Sequence, residues 1–520
     1  MKLGKFKVEN KLGVILSAGM LALAISGCSS KNDNATESSP AASVSPSSPA
    51  ASQAADPMDE FVDVSWYIRK PIDTIKDQEA IEAEVNKGIK EAINANLHIN
   101  FIDAASWDDK MKLMSASGDD YDLAFTANWT NAIDLNVQKG AFLPLDDLLK
   151  EYGQDILAKV DERAWKAVTY NGKIMAVPSQ SPFSTPGGIV FKKDLVTKHN
   201  FDYANVHTLQ DLEPYLALIK QNEPGITPLL VTKSVNAPGD YVTDHTNITK
   251  GIRYDEIAGK AVWELDIPQF INNYRTMSEY YKKGYVAKDA AIKTDFIAEA
   301  KTGKYAVMRD SGGYTEDGSK STALFGYPTV ESLASYPMIG TPNMVTAATA
   351  ISATSKNPER AMQLLNLVWK DKKLSNTLAY GLEGKNYTVK SGAGTDSPSI
   401  EAKSGAEQTW AIWHNWVGPL WDQWDSNWNS TASLERMQKN NDEAKTSSIL
   451  GFLFNGEVVK SEAAQVNAVY SELWPVMQTG SMPDYDKFVA DMRQRLTDAG
   501  LDTILAEVQK QIDAWKAQNQ

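Results

Sequence analysis

The residues best equipped for chemistry in this chain are tryptophans. Six of the 14, Trp410, Trp413, Trp416, Trp421, Trp424 and Trp428, fall in one short stretch interrupted at Gly418-Pro419. Their steps of three and four residues fit helical faces. A flat indole ring suits the C–H face of a pyranose. Planar polar groups such as Asp, Asn, Glu and Arg suit its hydroxyls. Trp413 and Trp416, with His414 and Asn415 between them, are therefore candidates to face a sugar. The same rings would pack a core or a lobe interface equally well, and spacing alone leaves both readings open. Signals of catalysis are poor. His98, His199, His207, His245 and His414 are scattered, and the chain has no HExxH, P-loop or GxSxG motif. Asp425, Asn427 and Asn429 open like a calcium loop, but Gly is missing at its sixth position and Glu at its twelfth. No catalytic residue, cofactor or metal ligand is assigned. The many carboxylates still leave room for the acid pair of a glycoside hydrolase.

Chemistry of another kind sits at the N-terminus. Lys2, Lys5, Lys7 and Lys11 precede an uncharged, mostly apolar run from Leu12 to Ile25. That run has the length of a secretory h-region and is short for a membrane span. It ends in Ile25-Ser26-Gly27-Cys28, which resembles a bacterial lipobox, and Cys28 is the only cysteine of the chain. Residues 1–27 are expected to be a signal peptide, with Cys28 carrying the lipid. A single cysteine also excludes a disulfide framework. Residues 28–57 are rich in Ser, Ala and Pro, with Val44 the one sizeable apolar side chain. They are expected to form a disordered tether, because they cannot bury enough surface to offset their ordering entropy. Net charge is −14, and −17 without residues 1–27, which carry four lysines and one glutamate. That balance argues against nucleic acid or anionic lipid as partners of the body.

The elements that must position a site follow at once. Phe61–Tyr67 alternates and is rich in β-formers. Ile81, Val85, Ile89 and Ile93 define an amphipathic helix within 78–97. Residues 99–102 read as a strand, 107–116 as a helix and 122–126 as a third strand. Strand and helix alternating at this spacing mean a parallel sheet with right-handed crossovers. Ligands of open α/β sheets bind beyond the carboxyl ends of the strands. Those ends place Trp66, Tyr67, Arg69, Asn128 and Trp129 on one rim.

Further along, the sequence resembles extracellular solute-binding proteins of the maltose-binding type. The resemblance is carried in order by Asn171-Gly172-Lys173-Ile174-Met175-Ala176-Val177-Pro178, by Val190-Phe191-Lys192-Lys193-Asp194-Leu195, by Gly303-Lys304-Tyr305-Ala306-Val307-Met308 and by Ile351-Ser352-Ala353-Thr354-Ser355-Lys356-Asn357-Pro358-Glu359. Glu223-Pro224-Gly225-Ile226-Thr227-Pro228 and Tyr380-Gly381-Leu382-Glu383-Gly384-Lys385-Asn386-Tyr387 are similar to a Gram-positive lipoprotein subgroup of sugar-uptake systems. That subgroup ends in a helical segment, here 488–518. The resemblance implies an α/β, two-lobed periplasmic-binding-protein-like fold with a hinge and a C-terminal helical segment. Lobe 1 is expected over 58–181 and 329–375, and lobe 2 over 188–325 and 376–520. The hinge crossings are expected at 182–187, which hold Phe183, and at 326–328. The turn Arg309-Asp310-Ser311-Gly312-Gly313-Tyr314 is expected to face the ligand, with Arg309, Asp310 and Tyr314 as contacts. Arg69 and Arg309 would suit an acidic sugar. The expected function is non-enzymatic: a monomeric, lipid-anchored receptor on the outer face of the cell membrane. It would capture an oligosaccharide and deliver it to the permease of an ABC importer. The alternatives are a surface glycoside hydrolase or lyase, and a peptide or small-metabolite receptor.

Overall fold

The computed structural model describes residues 60–239, 244–311, 313–336 and 338–519. Cys28, the signal peptide and the tether lie outside the described residues. Nine strands build the two principal sheets: β1 (Val62–Arg69), β2 (Ala95–Ile102), β3 (Leu123–Thr126), β4 (Val177–Pro178), β5 (Gly187–Lys192), β6 (Thr227–Leu229), β7 (Tyr305–Arg309), β8 (Thr329–Ser335) and β9 (Ala348–Ile351). The first sheet has the order β2-β1-β3-β9-β4, and the second β8-β5-β7-β6. The protein is thus an α/β molecule of two lobes.

The first lobe begins as its periodicities require. β1 pairs in parallel with β2 and with β3. The helix Gln78–Ile93 buries Ile81, Val85, Ile89 and Ile93. It stops short of the expected 97 because Asn94 takes a left-handed conformation, φ 48°, and Ala95 already opens β2. In the second lobe, alternation along β5 and β7 serves two layers. Ile189, Phe191 and Val307 join a core on one face of that sheet, and Val190 and Met308 a separate core on the other. The C-terminal helices Lys460–Thr479, Tyr485–Asp498 and Leu501–Asn519 form a further core with Ile252, Tyr254 and Trp263 of a small antiparallel sheet.

Two expected boundaries need correction. β8 does not follow a crossing at 326–328, because it pairs antiparallel with β5, from Thr329 opposite Lys192 to Ser335 opposite Gly187. Gly326 ends the helix Ser319–Phe325 in a left-handed conformation and turns the chain back into the same sheet. The return to the first sheet lies between Ser335 and Ala348. Residues 376–430 also do not belong wholly to the second lobe. Leu378, Ala379, Trp410, Ile412, Trp416 and Val417 pack in the core of the first, so the last passage to the other side falls near 441–448.

Three segments therefore connect the sheets, and hydrogen bonds lace them together. Asn441 donates through Nδ2 to the Ser181 carbonyl at 2.9 Å and accepts from the Ser184 N–H at 3.1 Å. Ile339 N donates to the Lys445 carbonyl, and Ser447 N to the Ile339 carbonyl, each at 2.8 Å.

Candidate carbohydrate site

The carboxyl edge of the first sheet carries an aromatic cluster. Phe125 is the third residue of β3, and Trp129 lies three residues beyond the strand. Trp129 is 50% exposed, yet its ring is fixed. Its Nε1 donates to the Thr346 carbonyl at 2.8 Å. Its centroid stands 6.1 Å from Phe125 and 6.3 Å from Trp416, while Phe125 and Trp416 approach to 4.5 Å. The Arg69 guanidinium, at the end of β1, lies 5.3 Å from the Trp129 ring. Asn128 is exposed and donates to the Pro342 carbonyl at 2.8 Å. Sequence-distant residues thus converge as an exposed apolar plane, a cation and an amide.

The clustered tryptophans divide between roles. Trp410 is core, with its ring edge-on to Phe101 and its Nε1 on the Leu378 carbonyl. Trp424 is buried likewise. Trp416 is nearly buried and contributes a wall behind Trp129. Trp413 is half-buried and meets Trp428 edge-on at 5.6 Å, with half-buried Asn415 two residues on. Beneath them His414 is buried and shares a 3.0 Å hydrogen bond with Asn376 Oδ1; burial holds its pKa down to about 3. It is a neutral prop for the Trp413–Trp416 turn. Trp421 and Phe183 line a cavity of about 410 Å³ together with Gln180, whose Oε1 accepts from the Trp421 N–H.

Trp66 is a correction. At 1% exposure it belongs to the core, because Val64, Trp66 and Ile68 alternate onto the covered face of β1. It has no free ring for a ligand. Tyr67 points to the other face, half-buried, and meets Tyr121 edge-on at 5.7 Å. Phe183 is also nearly buried and packs on the first core, so only its cavity-lining edge is free to meet a ligand.

In the second lobe, Arg309 ends β7 and the expected turn follows. Asp310 accepts from the N–H groups of Gly188 and Gly313 at 2.8 and 3.0 Å, so much of its carboxylate braces the backbone. Half-buried Tyr314 donates its N–H to the Pro186 carbonyl at 3.0 Å, which docks the turn on the first connecting segment. Glu331, missed in the sequence, stands beside them at 2% exposure. It accepts from the Thr315 N–H at 2.9 Å. Burial pushes its pKa up, with Asp310 and Asp317 adding to the effect. Gly188 fits closely between the two acids, since a Cβ there would stand 3.1 Å from Glu331 Oε2 and 3.3 Å from Asp310 Cβ. Among the described residues no group of three or more His, Cys, Asp or Glu is arranged to hold a metal ion.

Two lobes laced by three connecting segments, with an aromatic edge on one and a polar turn on the other, are the architecture of a two-lobed binding protein. The chain belongs to the bacterial extracellular solute-binding protein family, whose model matches residues 73–372. A domain of unknown function, DUF3502, matches residues 448–517, the C-terminal helical segment. A carbohydrate ABC transporter substrate-binding protein of Streptococcus pneumoniae serotype 4 is 30% identical over 443 residues, covering 83% of this chain and 87% of the relative. The N-glycan transport solute binding protein (NgtS) of S. pneumoniae, at 26% identity, superposes with a TM-score of 0.74 over 89% of this chain and 100% of its own. Its complex with Man5GlcNAc gives 0.58 over the same shares of both chains.

Proposed function

We propose that this chain is the substrate-binding component of a carbohydrate ABC importer, and that it captures an oligosaccharide between its lobes. The observation that carries the reading is Trp129, a half-exposed ring fixed at the carboxyl edge of the first sheet beside Arg69, Asn128 and Trp416. Trp413, Asn415 and Tyr67 extend that wall. In this reading Arg309, Asp310 and Tyr314 supply contacts from the second lobe, and Phe183 from the segment that connects the two. The sugar-binding relatives support the substrate class. NgtS superposes less well when it holds Man5GlcNAc, which supports a change of lobe geometry on binding. The chain then acts without catalysis, hands its cargo to permease subunits and works as a monomer at the outer face of the cell membrane.

Attachment through Cys28 completes the reading. Among the described residues no helix is long and apolar enough to cross a membrane. Cys28→Ala is expected to abolish incorporation of radiolabelled palmitate; equal labelling of wild type and variant would refute the anchor. The function itself is tested on a glycan array, followed by calorimetric titration and recovery of the bound sugar. Micromolar binding with the sugar recovered intact is expected. Cleaved product would establish the hydrolase or lyase alternative, and binding of peptides alone would overturn the carbohydrate reading.

A further inference from the structure

A second groove, which shares no lining residue with the pocket at Trp129, again combines aromatic and amide residues. Its volume is about 620 Å³. Tyr170, Phe454 and Trp515 line it, together with Gln138, Asn171 and Gln518. Among the described residues that line it, Asp134 alone is charged. Aromatic faces interspersed with planar donors and acceptors are what a neutral sugar requires. A groove for an acidic sugar would need a cation, and none of the described residues lining this one carries a positive charge. A purely apolar groove would lack the amides.

The groove is held by structure on both sides. Tyr170 belongs to the hairpin of Thr169–Tyr170 and Lys173–Ile174, packs against the first-lobe core, and has a phenol hydroxyl that is buried with no partner in the protein. Burial, with Asp134 nearby, keeps that phenol in its neutral form. Trp515 and Phe454 pack instead on the C-terminal core, and Trp515 meets Phe452 edge-on at 6.3 Å. Gly451 lets the two sides approach, since a Cβ there would lie 3.1 Å from the Lys166 carbonyl and 3.2 Å from the Trp515 ring.

We propose that this groove is a second carbohydrate-binding site, specific for short neutral oligosaccharides and distinct from the site at Trp129. Because its walls belong to different cores, a sugar seated there contacts both sides of the hinge.

The test uses the chain labelled with 5-fluorotryptophan, with the fluorine resonances of Trp515 and Trp129 assigned through Trp515→Phe and Trp129→Ala. The probes are Man5GlcNAc, triacetylchitotriose and maltotriose, with trigalacturonate as the acidic control. At least one neutral probe is expected to move the Trp515 resonance saturably, with a dissociation constant of about 1 mM. The shift should persist in Trp129→Ala and be lost in a Gln138→Ala/Gln518→Ala double variant of unchanged melting temperature. Trigalacturonate should bind at least fivefold more weakly. No movement of Trp515 with any neutral probe would overturn the proposal, as would movement that disappears in Trp129→Ala. If Trp129 responds and Trp515 does not, the second site falls and the importer function stands.

Discussion

A tryptophan serves a ligand or a core according to where its ring surface goes, and Trp129 and Trp66 show both outcomes. Half of Trp129 is open, while its Nε1 and one flank are committed to Thr346, Phe125 and Trp416. Trp129→Ala should cost roughly 2 kcal/mol of binding, about thirtyfold in affinity, with a melting temperature near wild type. Trp66→Ala should instead destabilise the fold by about 3–5 kcal/mol. Titration and thermal melting of the pair separate the roles; retained affinity in Trp129→Ala with a much lower melting temperature would make Trp129 structural. This contrast was half legible. The alternation Val64, Trp66, Ile68 that identifies β1 also assigns Trp66 to its covered face. The meeting of Trp129 with Trp416 was not legible, because no local period connects residues so far apart. Nor was the neutral state of His414, which depends on its burial. Its folded pKa, about 3, lies below the ordinary 6.5, so the unfolded chain binds the extra proton as pH falls between those values. Stability present above pH 6.5 should be lost by on the order of a few kcal/mol toward pH 4. Urea unfolding of wild type and His414→Gln across pH 4–7 measures it; parallel pH profiles would refute the assignment.

Elements were more legible than residues wherever a local period decides them. The opening strand–helix–strand–helix–strand follows from alternation and i, i+4 apolar spacing, and its parallel pairing follows from the helical crossovers. The connections were harder. A Gly/Pro turn looks alike in sequence whether it leads to another lobe or folds back into the same sheet, and Gly326-Tyr327-Pro328 does the latter. Residues 376–430 were misassigned because their burial depends on packing against the first-lobe core, much of which comes from residues far earlier in the chain such as Phe125. Asn441 was invisible for the same reason, since its partners at Ser181 and Ser184 come from another connecting segment. Asn441→Ala should leave both backbone groups unsatisfied and cost about 1–3 kcal/mol. Hydrogen exchange at the Ser184 amide should accelerate in that variant. An unchanged exchange rate there would show that the segments are held by something other than Asn441.

At the scale of the whole molecule, the separate cores of the two lobes and the slenderness of what joins them favour movement as rigid bodies. Each principal sheet is packed into its own apolar surroundings, whereas the links are three short segments between Pro178 and Gly187, between Ser335 and Ala348, and near 441–448. Packed cores resist deformation, and connecting residues absorb rotation at lower cost. Ligand that touches both walls interacts more strongly with a closed arrangement than with an open one, and that difference is what shifts the population. The chain saturated with its sugar should therefore show a smaller radius of gyration in small-angle scattering than the free chain. The same ligand at a hundred times its dissociation constant should stabilise the fold by about 2.7 kcal/mol through mass action alone. The two readouts separate binding from closure. A sugar that raises the melting temperature and leaves the scattering curve unchanged binds one lobe without drawing in the other, and hinge closure would then be wrong for this protein even though its capture of sugar stands.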